Sequence, residues 1–434
     1  MLKIIVKHLI PLIMNHKFDK KILRDKLINI NSEAAYILKS DVFENEYDLV
    51  LNSFKKYYDK VNIAYSFKTN YIPNFLNIVK NKKGYAEVVS IMELELALKV
   101  GFLPQNIFFN GPFKHQKETL NYLRLGVLVN VDSYDEFKWI EDFAKKSKII
   151  CRIGIRLNFS LTDSPSRFGI DINDEIIKEI IHKSNSSEFL SLESLHYHYA
   201  SRSLSAWKIC MDKFISFLDQ IDSYIYNDLK YISLGGGMFS RMDNYIEEQL
   251  SFYIPSFDEY AENSIQYLAE YLDEKSDILS IKPQILIEPG TALASKAIDF
   301  VVQVVSIKKI NGIFYINTTG SKYNMNPSPN RINSPVQILN FNIKNSIDLK
   351  NAKLCGYTCI ESDIIHNYFN GNISVGDLII FKEVGSYSVV MKPPFILPDV
   401  AIIQFNDERN VFEIIRDKQT FNDIFSNFKF LVND

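Results

Sequence analysis

The chain has 434 residues, 47% of them hydrophobic and 23% charged, which is the composition of an ordinary globular protein with two or three domains. Its 49 basic and 52 acidic residues give a net charge of −3, which argues against a general electrostatic grip on nucleic acid.

Residues 1–14 are apolar but interrupted by lysines, a histidine and a proline, so the apolar run is too short to span a bilayer. No small-residue cleavage site follows, and we expect a buried N-terminal element rather than a signal peptide. The four cysteines are unevenly spaced and form no disulfide framework, which indicates reduced thiols in a cytoplasmic protein. We also expect no membrane partner.

Between residues 46 and 287, short apolar runs alternate with longer helical patterns. The runs that predict strands are 63–67, 107–110, 126–131, 149–157, 192–197, 231–234 and 284–287. Helical patterns occupy 91–100, which Gly101 closes, then 114–125 and 133–146. About eight such units predict a parallel (β/α)8 barrel, which carries functional groups after the carboxyl ends of its strands.

After residue 295 the pattern changes, because strand-like runs follow one another without comparable helices between them. These runs are 297–310, 312–317, 336–343, 378–381 and 400–405. They predict an all-β domain after the barrel.

Lys68 follows the first strand run, where a lysine can hold an aldehyde cofactor as a Schiff base, although most lysines at strand ends are only solvated. Gly235, Gly236 and Gly237 follow another run. They can bring backbone N–H groups to a phosphate, or simply form a tight loop.

His196 and His198 end a further strand run and would lie on one face of it. A histidine there can stack on an aromatic cofactor, bind zinc or serve as a hydrogen-bonded core residue. We expect no metal, because no third ligand lies close by in the sequence. Glu288 follows the run 284–287 and, once buried, needs either a protonated pyridine nitrogen or a basic side chain as its partner.

Cys359 is followed by the acids Glu361 and Asp363, so its thiol can act as a proton donor, although a buried structural role is the commoner fate of a single cysteine. Its spacing from Cys355 does not predict a metal site, since no second cysteine pair exists to complete one.

In this order the motifs resemble the fold-type III pyridoxal-phosphate decarboxylases, the family of ornithine, arginine and diaminopimelate decarboxylases, over residues 34–405. The resemblance implies a PLP-binding, alanine-racemase-like TIM barrel at 44–296 and a C-terminal β-domain at 297–434, which the segment 1–43 joins. Lys68 would bind pyridoxal 5'-phosphate, Glu288 would pair with the pyridine nitrogen, and His198 would stack on the ring. The other cofactor-binding residues implied are Ser201, Gly235, Gly236, Gly237, Gly290 and Tyr387.

The same resemblance implies a head-to-tail homodimer in which Cys359 and its loop complete the partner's site. CO2 would leave from an external aldimine to give a quinonoid, and Cys359 would then return a proton to the product. Arg167 would pair with Asp363 across the interface.

The departures from the family pattern concern the substrate and the phosphate. Relatives that act on basic amino acids have an acid directly after the cysteine, where this chain has Ile360, and Glu361 comes one place later. Residues 316–320 replace the segment that supplies a second distal acid. Thr291 replaces the arginine after Glu-Pro-Gly, which removes one phosphate contact.

An unpaired ammonium in such a pocket is costly, so free lysine, ornithine and diaminopimelate are disfavoured. A carboxylate-bearing amino-acid conjugate, as in siderophore or other secondary-metabolite assembly, meets this constraint better. The basic residues of the site loops that could meet a carboxylate, or be solvated surface charges, are Arg202, Arg241, Lys322 and Arg331. The alternatives are a racemase of the same fold type and a silent decarboxylase-like regulatory protein.

Overall fold

The computed structural model describes residues 18–161, 166–221, 229–275, 282–325, 332–392 and 394–430. The helices are α1 (Lys20–Asn29), α2 (Ser40–Lys55), α3 (Pro73–Asn81), α4 (Ile91–Val100), α5 (Gln116–Arg124), α6 (Tyr134–Ser147), α7 (Glu175–Asn185), α8 (Leu204–Gln220), α9 (Asn244–Glu247), α10 (Phe257–Glu262), α11 (Ile265–Glu274), α12 (Thr291–Ala294), α13 (Lys322–Met325) and α14 (Phe421–Phe425). None of the helices in these ranges has the length and apolar character needed to cross a membrane.

The strands are β1 (Ala34–Leu38), β2 (Val61–Ser66), β3 (Tyr85–Val88), β4 (Ile107–Phe109), β5 (Leu128–Val131), β6 (Cys151–Asn158), β7 (Ile170–Asp171), β8 (Leu190–His196), β9 (Tyr231–Ser233), β10 (Gln284–Ile287), β11 (Ile298–Ile310), β12 (Ile313–Thr318), β13 (Val336–Leu339), β14 (Ile347–Cys355), β15 (Ile364–Ile373), β16 (Leu378–Phe381), β17 (Ala401–Asn406) and β18 (Val411–Arg416). They form two sheets of nine strands each.

The first sheet is the predicted barrel. Of its nine strands, all but β7 close into a ring, because β5 pairs with β6 as well as with β4. Every pairing around the ring is parallel. The sequence prediction of a (β/α)8 barrel is therefore confirmed, although β3 was missed because this four-residue strand carries the charged Glu87.

The inner face of the barrel is divided into two layers. The apolar layer consists of Ala64, Phe108, Leu128 and Leu286 with the rings of Tyr85 and Tyr231. The three aromatic rings meet edge to face, with centroids between 5.0 and 6.0 Å apart.

Side chains alternate along a strand, so residues two places further on point to the same inner face, nearer the carboxyl ends. At that level the barrel is polar, and this polar layer consists of Ser66, Glu87, Asn110, Asn130, Ser233 and Glu288, all of them buried. The apolar layer thus closes the barrel beneath a set of buried hydrogen-bonding groups.

The second sheet combines a strand from before the barrel with strands from after it. Its main path is β15-β14-β12-β11-β1-β17-β18, and β16 pairs with both β11 and β13. Strand β1 lies inside the sheet, antiparallel to β11 and parallel to β17. The predicted β-domain that includes the N-terminal segment is confirmed through β1. The buried element expected at residues 1–14 lies outside the described residues.

Four strands of this sheet, β1, β14, β15 and β18, were not predicted. The pairing of β14 with β15 shifts register between Leu349 and Ala352 and twice more before Cys355. Each shift breaks the alternation of apolar and polar residues on which strand prediction depends. The predicted run 336–343 is shorter than expected, since β13 ends at Leu339.

We expect the apolar layer of the barrel to dominate its stability. Phe108→Ala removes a ring that is 1% exposed and should lower the free energy of unfolding by about 3–5 kcal/mol. Phe113→Ala, at a phenylalanine that is 76% exposed, is the matched control and should change it by less than about 0.5 kcal/mol. Urea unfolding followed by circular dichroism measures both, and equal losses would contradict the assignment of Phe108 to the core.

Candidate active site

Lys68 lies in a single 3-10 turn, Phe67–Thr69, immediately after β2. Its Nζ is 2.8 Å from Oε2 of Glu87, a carboxylate that also accepts the hydroxyl hydrogen bond of Ser66. Burial alone would lower the pKa of Lys68, but the charges of Glu87 and Glu288 outweigh it and the pKa is raised. The side chain is 34% exposed, so the amine stands where a ligand can reach it.

Glu288 follows β10 and is held by hydrogen bonds on both carboxylate oxygens. Oε1 accepts from Asn110 Nδ2 at 2.9 Å and from Ser233 Oγ at 2.7 Å. Oε2 lies 3.3 Å from His196 Nε2 and retains capacity to accept a further hydrogen bond. The polar layer therefore fixes the orientation of this carboxylate.

Glu288 is ionised although it is buried. Burial by itself would raise the pKa of this carboxyl, but His196, with its hydrogen bond, His198 and Lys68 lower the pKa well below its ordinary range. A fixed, buried carboxylate of this kind is suited to holding a protonated ring nitrogen.

His198 lies two residues beyond β8. Its Nδ1 accepts the Gly236 N–H at 2.9 Å and is 4.0 Å from Glu288 Oε2. Burial and then the charge of Lys68 lower the pKa of His198 to about 3. Because Nδ1 accepts a hydrogen bond, the neutral ring carries its proton on Nε2.

The three glycines form a loop that no other residue type could form. Gly235 and Gly237 have φ angles of 67° and 99°, in the left-handed region. A Cβ on Gly236 would lie 2.4 Å from the carbonyl oxygen of Glu288. The loop therefore passes directly over the glutamate and His198.

Gly290 packs in the same way against the turn of Lys68, since a Cβ there would lie 2.0 Å from Thr69 Oγ1. A loop of the second sheet meets this turn from the other side. The Tyr387 N–H donates to the Thr69 carbonyl at 2.9 Å, and Asn70 Nδ2 donates to the Gly385 carbonyl at 2.8 Å. Tyr387 has a φ of 61°, uncommon for a residue other than glycine. The turn thus joins both sheets at one site.

The Cys359 loop, between β14 and β15, is not part of this assembly. Cys359 and Glu361 are exposed and Ile360 is half-buried. None of the hydrogen bonds or ion pairs among the described residues connects Cys359 with Lys68 or Glu288. Within one chain, no hydrogen bond or ion pair of the described residues therefore links the expected proton donor to the expected cofactor site.

Asp363 is buried by its own loop, at 3% exposure. It accepts from Thr358 Oγ1 at 2.7 Å, from the Lys322 backbone N–H at 2.9 Å and from Ser321 Oγ at 3.0 Å. Arg167 is exposed and its guanidinium stacks on the neighbouring Phe168 ring, 4.2 Å from the centroid. Their pairing across a dimer interface stays a prediction.

Sequence reasoning missed much of the polar layer. Glu87, Asn110 and Ser233 were given no role, and His196 was considered only as a candidate cofactor, zinc or core histidine. A signal was available for three of them, because Asn110, His196 and Ser233 are each the last polar side chain of a predicted strand run on the inward-facing alternation. Their partners, however, come from strands far apart in the sequence.

The comparisons with known proteins agree with this geometry. Residues 48–295 match the family model described as pyridoxal-dependent decarboxylase, pyridoxal binding domain. The chain therefore belongs to the pyridoxal-dependent decarboxylases, and it is a pyridoxal-phosphate-dependent carboxy-lyase.

Individual relatives cover most of the chain. It is 24% identical to diaminopimelate decarboxylase of Helicobacter pylori strain J99 over 412 residues, 90% of this chain and 96% of that protein. It is 23% identical to an L-glutamyl acyl-carrier-protein decarboxylase of Niallia circulans over 363 residues, 78% of this chain and 81% of that one. The solved structure of Helicobacter pylori diaminopimelate decarboxylase complexed with L-lysine shares the fold, with a TM-score of 0.77, 21% identity and coverage of 93% and 98%.

The residues present fit pyridoxal phosphate. Lys68 supplies an accessible amine, Glu288 an ionised acceptor for the ring nitrogen and His198 a neutral planar ring. The buried Oε1 of Glu87 has no hydrogen-bond partner among the described residues, which leaves an acceptor for a bound group. Across the same ranges of the chain, no group of three or more histidine, cysteine or acidic residues is arranged to hold a metal ion.

The neutral state of His198 predicts a pH dependence of stability. The unfolded histidine binds a proton below pH 6.5, whereas in the folded protein its pKa is about 3, so acid favours unfolding. Between pH 7 and 5 the cofactor-free protein should lose about 2 kcal/mol that His198→Gln does not lose. Urea unfolding at both pH values measures this difference.

His115→Gln, at an exposed histidine, is the control and should keep the wild-type pH dependence. An unchanged pH dependence in His198→Gln would contradict the assignment of a neutral, buried imidazole.

Proposed function

We propose that this protein decarboxylates an amino-acid conjugate whose distal end is neutral or anionic, and that it does so in the cytoplasm as a homodimer with shared active sites. The proposal about the substrate rests on Ile360, an apolar residue directly after the expected proton donor Cys359. The competing reaction is racemisation on the same fold, which releases no CO2.

When bound, pyridoxal phosphate supplies an electron sink for the electron pair that departing CO2 leaves behind. Lys68 supplies the amine that binds the cofactor's aldehyde. Glu288 keeps the ring nitrogen protonated, which is the condition for a strong sink, and the polar layer keeps Glu288 in place. His198 covers one face of the site and excludes water from it. The thiol of Cys359 donates a proton to the carbon that has lost CO2.

The acids that could meet a distal ammonium are few at the Cys359 loop. Asp363 is buried and already hydrogen-bonded within its own chain. Thr318 and Thr319, in the segment where a second acid would be expected, donate their hydroxyls to the carbonyls of Cys355 and Glu33. Of the acids in this loop, only Glu361 is exposed. A contact between Glu361 and the distal end of the substrate would favour a basic substrate.

Lys322 is the basic group best placed for a distal carboxylate. Its Nζ donates to the Ser362 carbonyl at 2.7 Å and to Ser362 Oγ at 3.0 Å, so the cation stands beside the Cys359 loop. Arg241 is less suitable because its Nε pairs with the buried Glu46 at 3.1 Å. Arg331 lies outside the described residues.

The relatives favour two kinds of substrate. The Niallia circulans protein acts on glutamate carried by an acyl-carrier protein, which supports a conjugate as substrate. The Helicobacter pylori relative makes free diaminopimelate the second candidate. Diaminopimelate has both a carboxylate and an ammonium at its distal end. Because residue 360 is isoleucine rather than an acid, it could not pair with that ammonium.

A substrate panel tests the proposal. We expect acyl-linked, citryl-linked and thioester-linked amino acids to release CO2 with a kcat/KM about 100-fold above that of free lysine, ornithine, arginine or diaminopimelate, because an unpaired ammonium is costly to bury. Lys68→Ala should abolish CO2 release from every substrate. Robust turnover of free lysine or ornithine would refute the proposal.

Variants locate the distal contact. Lys322→Ala should raise KM for an anionic conjugate about 10-fold with little change in kcat, since it removes a binding charge remote from the reacting carbon. Lys350→Ala, at an exposed lysine paired with Asp348, is the matched control and should change neither constant. Loss of activity on basic substrates in Glu361→Gln, with Lys322→Ala silent, would assign the distal contact to Glu361 instead.

Subunit mixing tests the shared site. Lys68→Ala and Cys359→Ala should each lose at least about 100-fold in amine formation. When equal amounts are mixed and allowed to exchange, half of the dimers carry one variant of each kind. One of their two sites is intact if Cys359 acts in the partner's site, so about a quarter of the wild-type activity should return. A mixture that stays inactive would mean that each site is built from one chain.

A further inference from the structure

Arg202 is held in a fixed position where three loops of the candidate site meet. Its carbonyl oxygen accepts the hydroxyl hydrogen bond of Tyr260 at 2.6 Å, and its guanidinium lies 5.1 Å from the ring centroid of Phe239. Its Nη2 is 3.4 Å from Oγ1 of Thr291, the residue directly after Glu-Pro-Gly. A guanidinium so restrained is oriented before any ligand binds.

Within the described part of the chain, no acid pairs with this guanidinium. None of the ion pairs among the described residues engages Arg202, whereas such pairs engage Arg152, Arg156, Arg241, Arg409 and Arg416. Arg202 is also half-buried, so part of its hydration is lost. A partly desolvated cation that pairs with none of the described acids is suited to an anionic ligand.

The groups around Arg202 are hydrogen-bond donors. Ser201 and Ser203 hydroxyls lie 3.3 Å apart on the same loop, and Thr291 offers a third hydroxyl. The glycine loop is adjacent, since a Cβ on Gly237 would lie 3.0 Å from the Ser201 carbonyl, and the Gly237 carbonyl is engaged by Trp207 Nε1 at 3.2 Å. Hydroxyls and a guanidinium on loops that adjoin a glycine backbone are the kinds of group that bind a phosphate dianion.

We propose that Arg202 is the cation that binds the cofactor's phosphate in this protein. Arg202 extends from the loop between β8 and α8 to the side chain of Thr291. The threonine side chain is short and uncharged, so it cannot replace a cation at the phosphate. The planar guanidinium can donate to two phosphate oxygens at once. The inference rests on the cofactor being pyridoxal phosphate and is independent of which substrate is decarboxylated.

A competing role for Arg202 is contact with a substrate carboxylate. The residue also borders a cavity of about 380 Å3 lined by Leu204, Phe239, Phe252, Tyr253 and Pro255. The two roles differ in the absence of substrate, because only a phosphate contact distinguishes pyridoxal phosphate from pyridoxal, which lacks the phosphate.

The test is a titration of cofactor-free protein with pyridoxal phosphate and, separately, with pyridoxal, followed by the absorbance of the Schiff base. Arg202→Ala should raise the Kd for pyridoxal phosphate at least about 30-fold and change the Kd for pyridoxal less than about 3-fold. The Kd of Arg202→Lys for pyridoxal phosphate should lie between those of the wild type and Arg202→Ala, because lysine keeps the charge but not the paired donors of the guanidinium. Inorganic phosphate should raise the Tm of the wild type and not that of Arg202→Ala.

The double variant Arg202→Ala/Thr291→Arg supplies a rescue, because an arginine at residue 291 returns the charge from the other loop. It should recover most of the selectivity for pyridoxal phosphate over pyridoxal, which a merely structural role of Arg202 would not predict. Arg124→Ala is the matched control, since Arg124 also stacks on a phenylalanine ring but is exposed on α5. It should leave both Kd values unchanged.

Three outcomes would overturn the proposal: equal loss of affinity for both ligands, no loss for either, or a rise only in the KM of an anionic substrate. Far-ultraviolet circular dichroism identifies a variant that fails to fold, and the rescue variant then decides the question. Failure of the substrate panel leaves the ratio of the two Kd values intact, so it is distinguishable from failure of the Arg202 assignment.

Discussion

The charge on Glu288, buried at the carboxyl ends of the barrel strands, sets the conditions that the rest of the site meets. An ionised carboxylate away from water is costly unless donors and a cation surround it. Asn110 and Ser233 donate to one oxygen, His196 lies against the other, and Lys68 contributes positive charge. Each donor comes from a different part of the chain, so the closed ring of parallel strands is what brings them together.

The barrel achieves this by stacking two chemically different layers on one inner face. The apolar layer beneath excludes water from the hydrogen bonds above it, and a lower local dielectric strengthens every interaction with Glu288. The same exclusion keeps His198 neutral, so that a planar ring rather than a second cation stands beside Lys68. The stability of the barrel and the electrostatics of the site thus both depend on the apolar layer.

The residues proposed for cofactor chemistry and those proposed for substrate recognition lie in separate parts of the molecule. The groups that would hold the cofactor's ring extend from barrel strands and are locked to one another. The groups that would meet the distal end of the substrate, including Ile360 and Lys322, lie on loops between strands of the second sheet. A change at Ile360 would therefore leave the hydrogen bonds of the buried carboxylate intact. Thr291 stands where relatives have an arginine, and Arg202 lies within 3.4 Å of it on a different loop, so a cation is still present at this position.

The sequence by itself determined the elements that follow from local patterns, such as hydrophobic periodicity, helix-ending residues and short motifs. Alternating strand and helix patterns predicted the barrel, Gly101 ended α4 in the left-handed conformation that its lack of a side chain allows, and the ordered motifs indicated Lys68, His198 and Glu288. Strand β3, which is short and carries the charged Glu87, and strand β14, whose pairing shifts register, escaped detection because their periodicity is broken. Only the tertiary structure decided which donors surround Glu288 and that Arg202 reaches Thr291, since contacts across loops tens of residues apart leave no periodic trace in the chain.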